Sequence, residues 1–509
     1  MPHERRHSPH SQKNPSPPSA RRRAIRPVLL LVALVNLAWS LYQLPVSRIV
    51  ESRLCRDHYA VHDPSALRPD GTVPEELCKV DGVQQRLGRI QGIMETLWVA
   101  GDFLMTIPLV SLADHYGHQF VLCLNLFPRV FLLCWTFLVG YFDRALPLNA
   151  ILAGPVFSFL GGDCVFNSIV YSLVSELTDD HVLRATFFGY VNAVTSIFSL
   201  QLGPALASAA MNTLLWLPLW VGMALLILGI PVISALLPRP RASHRKRPSF
   251  NEEADAAAPL IPPSSPQPLR NSVISKTKSR FHTALAILTN PSRNFVLLLA
   301  VFFLAALASS DTKLLPLYIS KRYTWKFSSV GYLLSIKALF NFFLLSFIIP
   351  RFLRWREMHR VTTTGSSSLP ESEPEPVHAD RENISLAHTS LVCSVLGALA
   401  IAISPTIWTL APSLLLYAMG IALPMFTYSL LKSPSMGLKE EEGQGPDTGM
   451  HLFSVVMLVR TVGTLLGAVV MPSLWVMGVG IGGSALGLPY AASAVCYGLA
   501  GGLVRRMEP

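Results

Sequence analysis

Long apolar runs separated by short polar turns alternate along almost the whole chain. One run extends from Ile90 to Leu112 and contains only two charged residues, Glu95 and Asp102. Because roughly 20 apolar residues span the hydrocarbon core of a bilayer as a helix, runs of this length predict transmembrane helices. The pattern predicts twelve of them, at about residues 27–46, 90–112, 120–141, 148–174, 183–211, 214–237, 293–319, 327–353, 383–404, 406–431, 450–477 and 484–504.

A long polar segment divides the predicted helices into two groups. Residues 238–292 are rich in Pro, Ser, Arg and Lys, a composition that favours a linker over a packed core. We therefore predict an all-α membrane protein with two six-helix halves. The predicted units are a disordered cytosolic tail at 1–26, an N-terminal half at 27–237, a cytosolic linker at 238–292, a C-terminal half at 293–504 with a cytosolic insert at 354–382, and a cytosolic tail at 505–509.

The distribution of Lys and Arg predicts which side each loop faces. Basic residues concentrate in the N-terminal tail, in the linker and after the eighth predicted helix, and loops rich in Lys and Arg stay in the cytosol. Both termini are then cytosolic, and the long polar loop after the first helix faces the opposite side. The plasma membrane is the expected location. The acidic stretch before Leu260-Ile261 favours the vacuolar membrane as an alternative.

The composition excludes several classes of protein. Only 14% of the residues are charged, against about 25% in soluble globular domains, and the mean hydropathy is +0.42. The net charge of +11 lies in tails and loops and not on one amphipathic face, so no nucleic-acid partner is predicted. Because the sequence has no phosphate-binding Gly-x-x-x-x-Gly-Lys-Ser/Thr loop, metal-ligand spacing or nucleophile elbow, it predicts neither an enzyme nor a cofactor.

Two of the seven cysteines, Cys55 and Cys78, share the polar loop after the first predicted helix. A disulfide between them is expected if this loop faces an oxidising compartment. Two free thiols in a mobile loop are the alternative. The other five cysteines lie in apolar runs, where they are interpreted as packing residues.

Three acidic residues lie within predicted membrane helices, where an ionisable group is costly and usually functional. Asp102 lies at the centre of the second helix, Asp163 lies in the fourth, and Glu95 precedes Asp102 by seven residues on the same face. They are candidates for a carboxylate that takes up a proton on one side of the membrane and releases it on the other. Fixed ion pairs between helices are the alternative interpretation.

Three basic residues also lie within predicted helices: Arg129, Lys337 and Arg460. Each is a candidate for contact with an anionic substrate or for an ion pair with one of the acids.

The turn that closes the second predicted helix resembles a motif of the major facilitator superfamily, roughly Gly-x-Leu-Ala-Asp-Arg-x-Gly-Arg-Lys. The fitting positions are Leu112, Ala113, Asp114 and Gly117. The leading Gly and the basic positions are replaced by Val110, His115, His118 and Gln119. The resemblance implies that Asp114 and Gly117 lie in the loop that helps to control the switch between inward and outward access.

Gly203-Pro204 in the fifth helix resembles part of the Gly-x-x-x-Gly-Pro-x-x-Gly-Gly element of the superfamily's proton antiporters. The outer glycines are replaced here by Ser199, Ala207 and Ser208. Small residues still allow neighbouring helices to approach closely, so Gly203 and Pro204 are predicted to take part in gating.

The chain therefore resembles fungal multidrug and toxin-efflux transporters. The resemblance implies a monomeric secondary transporter that exports a small, largely apolar compound, such as a toxin, drug or secondary metabolite, in exchange for protons across the lipid bilayer. Two alternatives stay open. One is a proton-coupled importer of a nutrient or organic anion. The other is a membrane sensor or scaffold whose long cytosolic inserts bind partners.

Overall fold

Helices and short turns make up the part of the chain that the computed structural model describes, which is residues 18–69, 71–177, 181–236, 293–348, 351, 376–431 and 447–507. There is no β-strand within these residues, as the apolar runs predict. The α-helices are α1 Pro18–His62, α2 Asp81–Tyr116, α3 His118–Tyr141, α4 Asp163–Glu176, α5 His181–Thr195, α6 Gly203–Thr213, α7 Leu217–Ala235, α8 Arg293–Ser309, α9 Leu315–Arg322, α10 Phe327–Phe343, α11 Pro376–Ile403, α12 Ile407–Ala418, α13 Leu423–Leu431, α14 Asp447–Ile481 and α15 Leu488–Val504.

Short 3₁₀ or π-helical segments connect or interrupt these helices. They are Pro64–Ala66, Glu75–Lys79, Leu148–Leu160, Ser196–Leu202, Ser310–Lys313, Leu344–Ile348, Met419–Ala422 and Gly483–Gly487. Within the described ranges, nine helical stretches are long and apolar enough to cross a bilayer, and α10 and α12 are shorter apolar helices. The chain is therefore a multi-pass membrane protein. The predicted linker and residues 354–375 of the predicted insert lie outside the described residues.

Several helix boundaries differ from the sequence prediction. α1 begins at Pro18, inside the stretch predicted as a tail, and continues to His62, well past the predicted end at residue 46. The extension is polar, but its charges are satisfied. Arg53, for example, is buried and donates to the carbonyls of Val139, Asp143 and Leu146. α11 begins at Pro376, inside the predicted insert. Apolar length alone locates the membrane-spanning part of a helix and misses such extensions.

Five of the predicted spanning helices contain a 3₁₀ or π-helical segment: 148–174, 183–211, 293–319, 327–353 and 406–431. Gly161 and Gly162 separate the 3₁₀ segment Leu148–Leu160 from α4, and Gly161 has a φ of +145° that favours glycine. The π-helical segment Ser196–Leu202 precedes Pro204, which has no N–H to donate to a carbonyl four residues earlier. The segment Ser310–Lys313 interrupts the seventh predicted helix. Interruptions of this kind expose backbone groups and are typical of transporter sites.

Helices α1–α7 and α8–α15 form two halves that meet mainly along α2 with α14 and along α6 with α10. Glycines permit the first of these contacts. A Cβ on Gly88 would lie 2.3 Å from the Trp475 ring, and one on Gly92 would lie 2.5 Å from Pro472. At these two positions the backbone of α2 packs directly against side chains of α14, which leaves no room for a larger residue.

Candidate functional site

Asp102, the predicted acid at the centre of α2, is buried against the first turn of α4. Its side chain is 4% exposed, and its two carboxylate oxygens accept from the backbone N–H groups of Cys164 at 2.8 Å and Val165 at 3.4 Å. The first N–H groups of a helix have no partner within the helix, and a carboxylate there satisfies them and the helix dipole. Asp102 therefore caps α4 from a neighbouring helix.

Gly162 makes this capping contact possible. A Cβ at this position would lie 2.3 Å from Asp102 Cγ, well inside van der Waals contact. The break at Gly161-Gly162 thus brings the α4 N-terminus against α2, and the residue that opens α4 is Asp163.

Asp163 and Arg129, both predicted from the sequence, form an ion pair at this point. Arg129 Nη2 lies 2.7 Å from Asp163 Oδ1. The Arg129 side chain is 1% exposed, whereas the Asp163 side chain is 47% exposed. Within the described part of the chain, Asp163 is the only carboxylate within 4.0 Å of Arg129. Arg129 is therefore buried, whereas Asp163 is partly exposed and lies within charge range of Lys313 in the other half.

Arg129 is held from several other directions. Its Nε donates to Asn125 Oδ1 at 3.2 Å, and Asn125 Nδ2 donates in turn to the Gly162 carbonyl at 2.9 Å. Aromatic rings surround the guanidinium at 5.3–5.9 Å from its central carbon, an arrangement that stabilises a cation; they belong to Trp39, Trp98 and Phe166. Arg129 thus keeps its position even when its contact with Asp163 is lost.

Glu95, the third predicted acid, pairs across the two halves. Its Oε1 lies 3.3 Å from Lys313 Nζ, and both side chains are partly exposed. Lys313 also lies near enough to Asp163 for their charges to interact. The sequence analysis overlooked Lys313, although the polar run from Ser309 to Lys313 within an apolar segment marks it.

A second polar cluster lies in the C-terminal half around Asp311, which the sequence analysis also missed. Asp311 is 0% exposed, and both carboxylate oxygens accept from the Tyr417 hydroxyl, at 2.8 and 3.0 Å. The Tyr417 and Tyr497 hydroxyls lie 3.3 Å apart. Lys337 Nζ lies 5.7 Å from the centroid of the Tyr417 ring, and Arg460 Nη1 donates to the Tyr428 hydroxyl at 2.9 Å. Lys337 therefore belongs to this cluster, whereas Arg460 contacts Tyr428 and makes no ion pair with Asp163 among the described residues.

The predicted gating residues lie at helix ends and helix contacts. Gly117 has a φ of +95° and separates α2 from α3, which explains why glycine occupies this position of the motif. The side chain of Asp114 lies outside what the structure describes. Gly203 packs against α1, where a Cβ would lie 2.1 Å from Ser40 Oγ. Pro204 follows the π-helical segment, and its carbonyl accepts from Ser208 Oγ at 2.8 Å.

Cys55 and Cys78 form a disulfide that ties α1 to the following loop. Next to it lies Glu51, which is 0% exposed and accepts from Lys79 Nζ at 2.7 Å and Gln84 Nε2 at 2.6 Å. Arg48 adds a third contact at 3.0 Å. A buried carboxylate is stable only with several such partners, so this part of the chain is rigidly held.

The same end of the molecule joins the two halves. We call it the loop face, comprising residues 63–69, 71–81 and 321–327. Lys321 Nζ lies 2.6 Å from Asp81 Oδ1, and the Phe327 N–H donates to Glu75 Oε1 at 2.8 Å. These contacts, together with the glycine contacts of α2, hold the halves together at the loop face.

Outside the membrane helices, Arg56 pairs with Asp143, which lies in the turn after α3. The hydrogen bond from the Arg56 guanidinium lowers the pKa of Asp143. Among the described residues there is no group of three or more His, Cys, Asp or Glu side chains that could hold a metal ion.

Comparison with known proteins gives relatives for the whole chain. The sequence profile of the Major Facilitator Superfamily matches residues 82–369. The MFS efflux pump atnC of Emericella nidulans is 25% identical over 496 residues, which cover 96% of this chain and 90% of the pump. The MFS-type transporter aprT of Aspergillus flavus is 24% identical, over 90% of this chain and 82% of that protein.

Solved structures share the fold. The human organic anion transporter MFSD10 superposes with a TM-score of 0.57 at 15% identity, over 96% of this chain and 100% of that chain. The nucleoside transporter NupG superposes with a TM-score of 0.54 at 14% identity, over 95% and 98% of the two chains. The chain therefore belongs to the Major Facilitator Superfamily of membrane transporters, and its sequence resembles those of the fungal efflux pumps.

Proposed function

We propose that this protein exports a small, largely apolar compound in exchange for protons, and that Asp163 is the carboxylate that carries the proton. The observation that supports this most is the asymmetry of its ion pair. The Asp163 side chain is 47% exposed, whereas its partner Arg129 is 1% exposed and contacts Asn125 and three aromatic rings. A proton can therefore reach the acid without any movement of the base.

Protonation of Asp163 changes the energy of the site. It removes the negative charge that neutralises Arg129 and leaves a buried cation without its carboxylate, which is costly in an apolar surrounding. The two states of Asp163 thus favour different packing of α3 against α4. A change of this kind can bias the equilibrium between inward and outward access, which is what coupling requires.

Asp102, in this proposal, positions Asp163 and does not carry the proton. It is 4% exposed and both of its oxygens accept from the backbone of α4. A proton on Asp102 would remove an acceptor from a helix N-terminus and would have little access to the central space.

Glu95 and Lys313 contribute a second switch. Their 3.3 Å contact joins α2 to the segment between α8 and α9, and so joins one half to the other. When the halves move apart on one side, this pair must break, and its charges then become available to water or to cargo. An exposed pair of this kind contributes about 1 kcal/mol or less, so it can open without a large barrier.

The contacts at the loop face favour export. The expected orientation puts this face outside the cytosol, and the disulfide between Cys55 and Cys78 is typical of an oxidising compartment. With the halves joined at that face, the central space opens toward the cytosol, the side from which an exporter loads. We extend the proposal to a monomer in the plasma membrane with both termini cytosolic.

The relatives support the same direction of transport, since atnC and ustT are named as efflux pumps. A sequence identity of 25% or less does not carry a substrate from one protein to another, so the compound has to be found by experiment.

Proteoliposomes that contain the purified protein test the proposal. They are made acidic inside and incubated with an organic extract of the host culture, and mass spectrometry identifies the compounds that accumulate. Export by proton exchange predicts accumulation that disappears when an uncoupler removes the gradient. Empty liposomes control for passive trapping of weak bases. Accumulation in vesicles made alkaline inside, with none in acidic vesicles, would show proton symport and contradict the proposal.

A further inference from the structure

A cavity of about 210 Å³ is lined by residues of the C-terminal half, and neither Asp163 nor Arg129 is among them. It corresponds to roughly seven times the volume of a water molecule in the liquid, so it can hold one ring system with a small polar group. Its lining combines apolar residues, which include Val301, Phe302 and Leu423, with the two cations Lys337 and Arg460. The cavity is therefore amphiphilic.

The charged groups that line this cavity are both positive. Its described lining contains Lys337 and Arg460 but no Asp or Glu. Among the described residues, no carboxylate oxygen lies within 4.0 Å of either cation; Lys337 faces the Tyr417 ring, and Arg460 donates to the Tyr428 hydroxyl. Two cations without a paired acid give the cavity a positive potential that favours an anionic ligand.

The nearby Asp311 does not neutralise the cavity directly. It is 0% exposed and is not part of the lining, and both of its oxygens already accept from Tyr417. Lys337 lies within range of its charge but makes no ion pair with it. Asp311 thus stabilises the Lys337 ammonium through its charge alone. The N–H groups of that ammonium can then donate to a ligand.

Asn341 gives an independent sign that a polar ligand belongs here. This residue lines the cavity, and its buried Oδ1 has no hydrogen-bond partner among the described residues. A buried amide oxygen without a partner costs about 1–3 kcal/mol, so a ligand that satisfies it binds more tightly. Either orientation of the amide presents a polar atom to the cavity.

We propose that this cavity binds an amphiphilic cargo. A carboxylate of the cargo would pair with Lys337 and Arg460, and its aromatic or aliphatic body would pack against the apolar lining residues. The inference rests on the proposed function and specifies its cargo as an organic acid with an apolar body. A simple hydrocarbon-like compound offers neither an anion to the two cations nor a hydrogen bond to Asn341.

The test uses two probes of the same size and shape, 2-naphthoate and 2-naphthamide, which differ in charge. Binding of each to the purified full-length protein in lipid nanodiscs is measured by isothermal titration calorimetry, without a pH gradient. We expect naphthoate to bind with a Kd of about 1 mM or tighter, the affinity that an ordinary ligand efficiency gives a compound of this size. We expect naphthamide to bind at least about tenfold more weakly, because it cannot pair with the cations.

Variants locate the binding site. Lys337→Gln and Arg460→Gln should each weaken naphthoate binding about tenfold and leave naphthamide binding unchanged, whereas Lys337→Arg should retain most of the affinity. Arg506→Gln removes the same charge from an exposed position at the end of the chain and serves as the matched control.

The native protein alone can overturn the inference. Equal binding of the two probes, or no saturable naphthoate binding, would refute it even if a variant failed to fold. Unchanged naphthoate binding in folded Lys337→Gln and Arg460→Gln would refute it as well. None of these outcomes depends on proton exchange. Failure of the cavity proposal is therefore distinguishable from failure of the proposed transport mechanism, which the proteoliposome assay tests.

Discussion

Replacing Asp102 by asparagine and by alanine distinguishes a structural role of this residue from a role in carrying protons. Asparagine is as good an N-cap as aspartate, so it can still accept from the first turn of α4, but it cannot ionise. Alanine can do neither. If Asp102 only positions α4, the asparagine variant should transport and the alanine variant should be impaired.

The contacts of Asp102 set the expected sizes of these effects. Alanine removes the acceptors of two N–H groups, at 2.8 and 3.4 Å. Loss of an N-cap costs about 0.5–2 kcal/mol, and a buried N–H without a partner adds about 1–3 kcal/mol. We expect about 1.5–5 kcal/mol in total for alanine. Asparagine loses only the interaction of the negative charge with the helix dipole, about 1 kcal/mol.

Thermal unfolding of the purified variants in detergent measures these differences. For a chain of this length, about 1 kcal/mol corresponds to roughly 1 °C in Tm, because the unfolding entropy scales with size. We expect the alanine variant to unfold roughly 2–5 °C below the native protein and the asparagine variant within about 1 °C of it. The same samples are then assayed for accumulation driven by a pH gradient.

One result would refute the positional role of Asp102. If Asp102→Asn keeps a native Tm but loses accumulation as completely as Asp163→Asn does, then Asp102 itself takes up the proton. The capping geometry would in that case describe only its deprotonated state.

Three further predictions concern single contacts. Gly162→Ala places a methyl group 2.3 Å from the capping carboxylate and should destabilise the protein by about 1–3 kcal/mol, seen as a lower Tm. Lys79→Met leaves the buried Glu51 without its 2.7 Å partner and should cost about 3 kcal/mol, with part of the loss recovered in the double variant with Glu51→Leu; no recovery would contradict a charge effect. Arg56 lowers the pKa of Asp143. Their pair therefore stabilises the protein fully above the unfolded-state pKa of about 4, and this stabilisation is lost progressively as the pH falls from there through the lower pKa of the folded state. The small Tm difference between native protein and Arg56→Gln should therefore shrink between pH 7 and pH 3, and a constant difference would contradict this prediction.

Much of the architecture follows from the pattern of apolar runs, because a bilayer imposes a nearly fixed helix length. The same pattern could not locate the interruption of the fourth helix, since Gly161 and Gly162 break it without making it polar. It also could not predict the extension of α1 to His62, because the buried Glu51 and Arg53 are stabilised by residues distant in the sequence.

The candidate site was only partly predictable for a related reason. Depth along a helix identifies Asp102, Asp163 and Arg129 as unusual residues, but their partners depend on how the helices pack. By its depth in the membrane, Asp102 is the first candidate for the group that exchanges protons. Its burial and its hydrogen bonds to the α4 backbone favour the more exposed Asp163 instead. Asp311 lies in the polar run from Ser309 to Lys313, a signal that is lost when hydropathy is averaged over the whole apolar segment.

Proton movement through Asp163 is the central claim, and it can be measured directly. Once a transported compound is identified, proteoliposomes loaded with a pH-sensitive dye report proton exit as the compound enters. We expect the native protein to give a proton signal that rises with the amount of compound transported, and Asp163→Asn to give none while remaining folded. A native-sized proton signal in Asp163→Asn, or transport by the native protein without any proton signal, would contradict the mechanism.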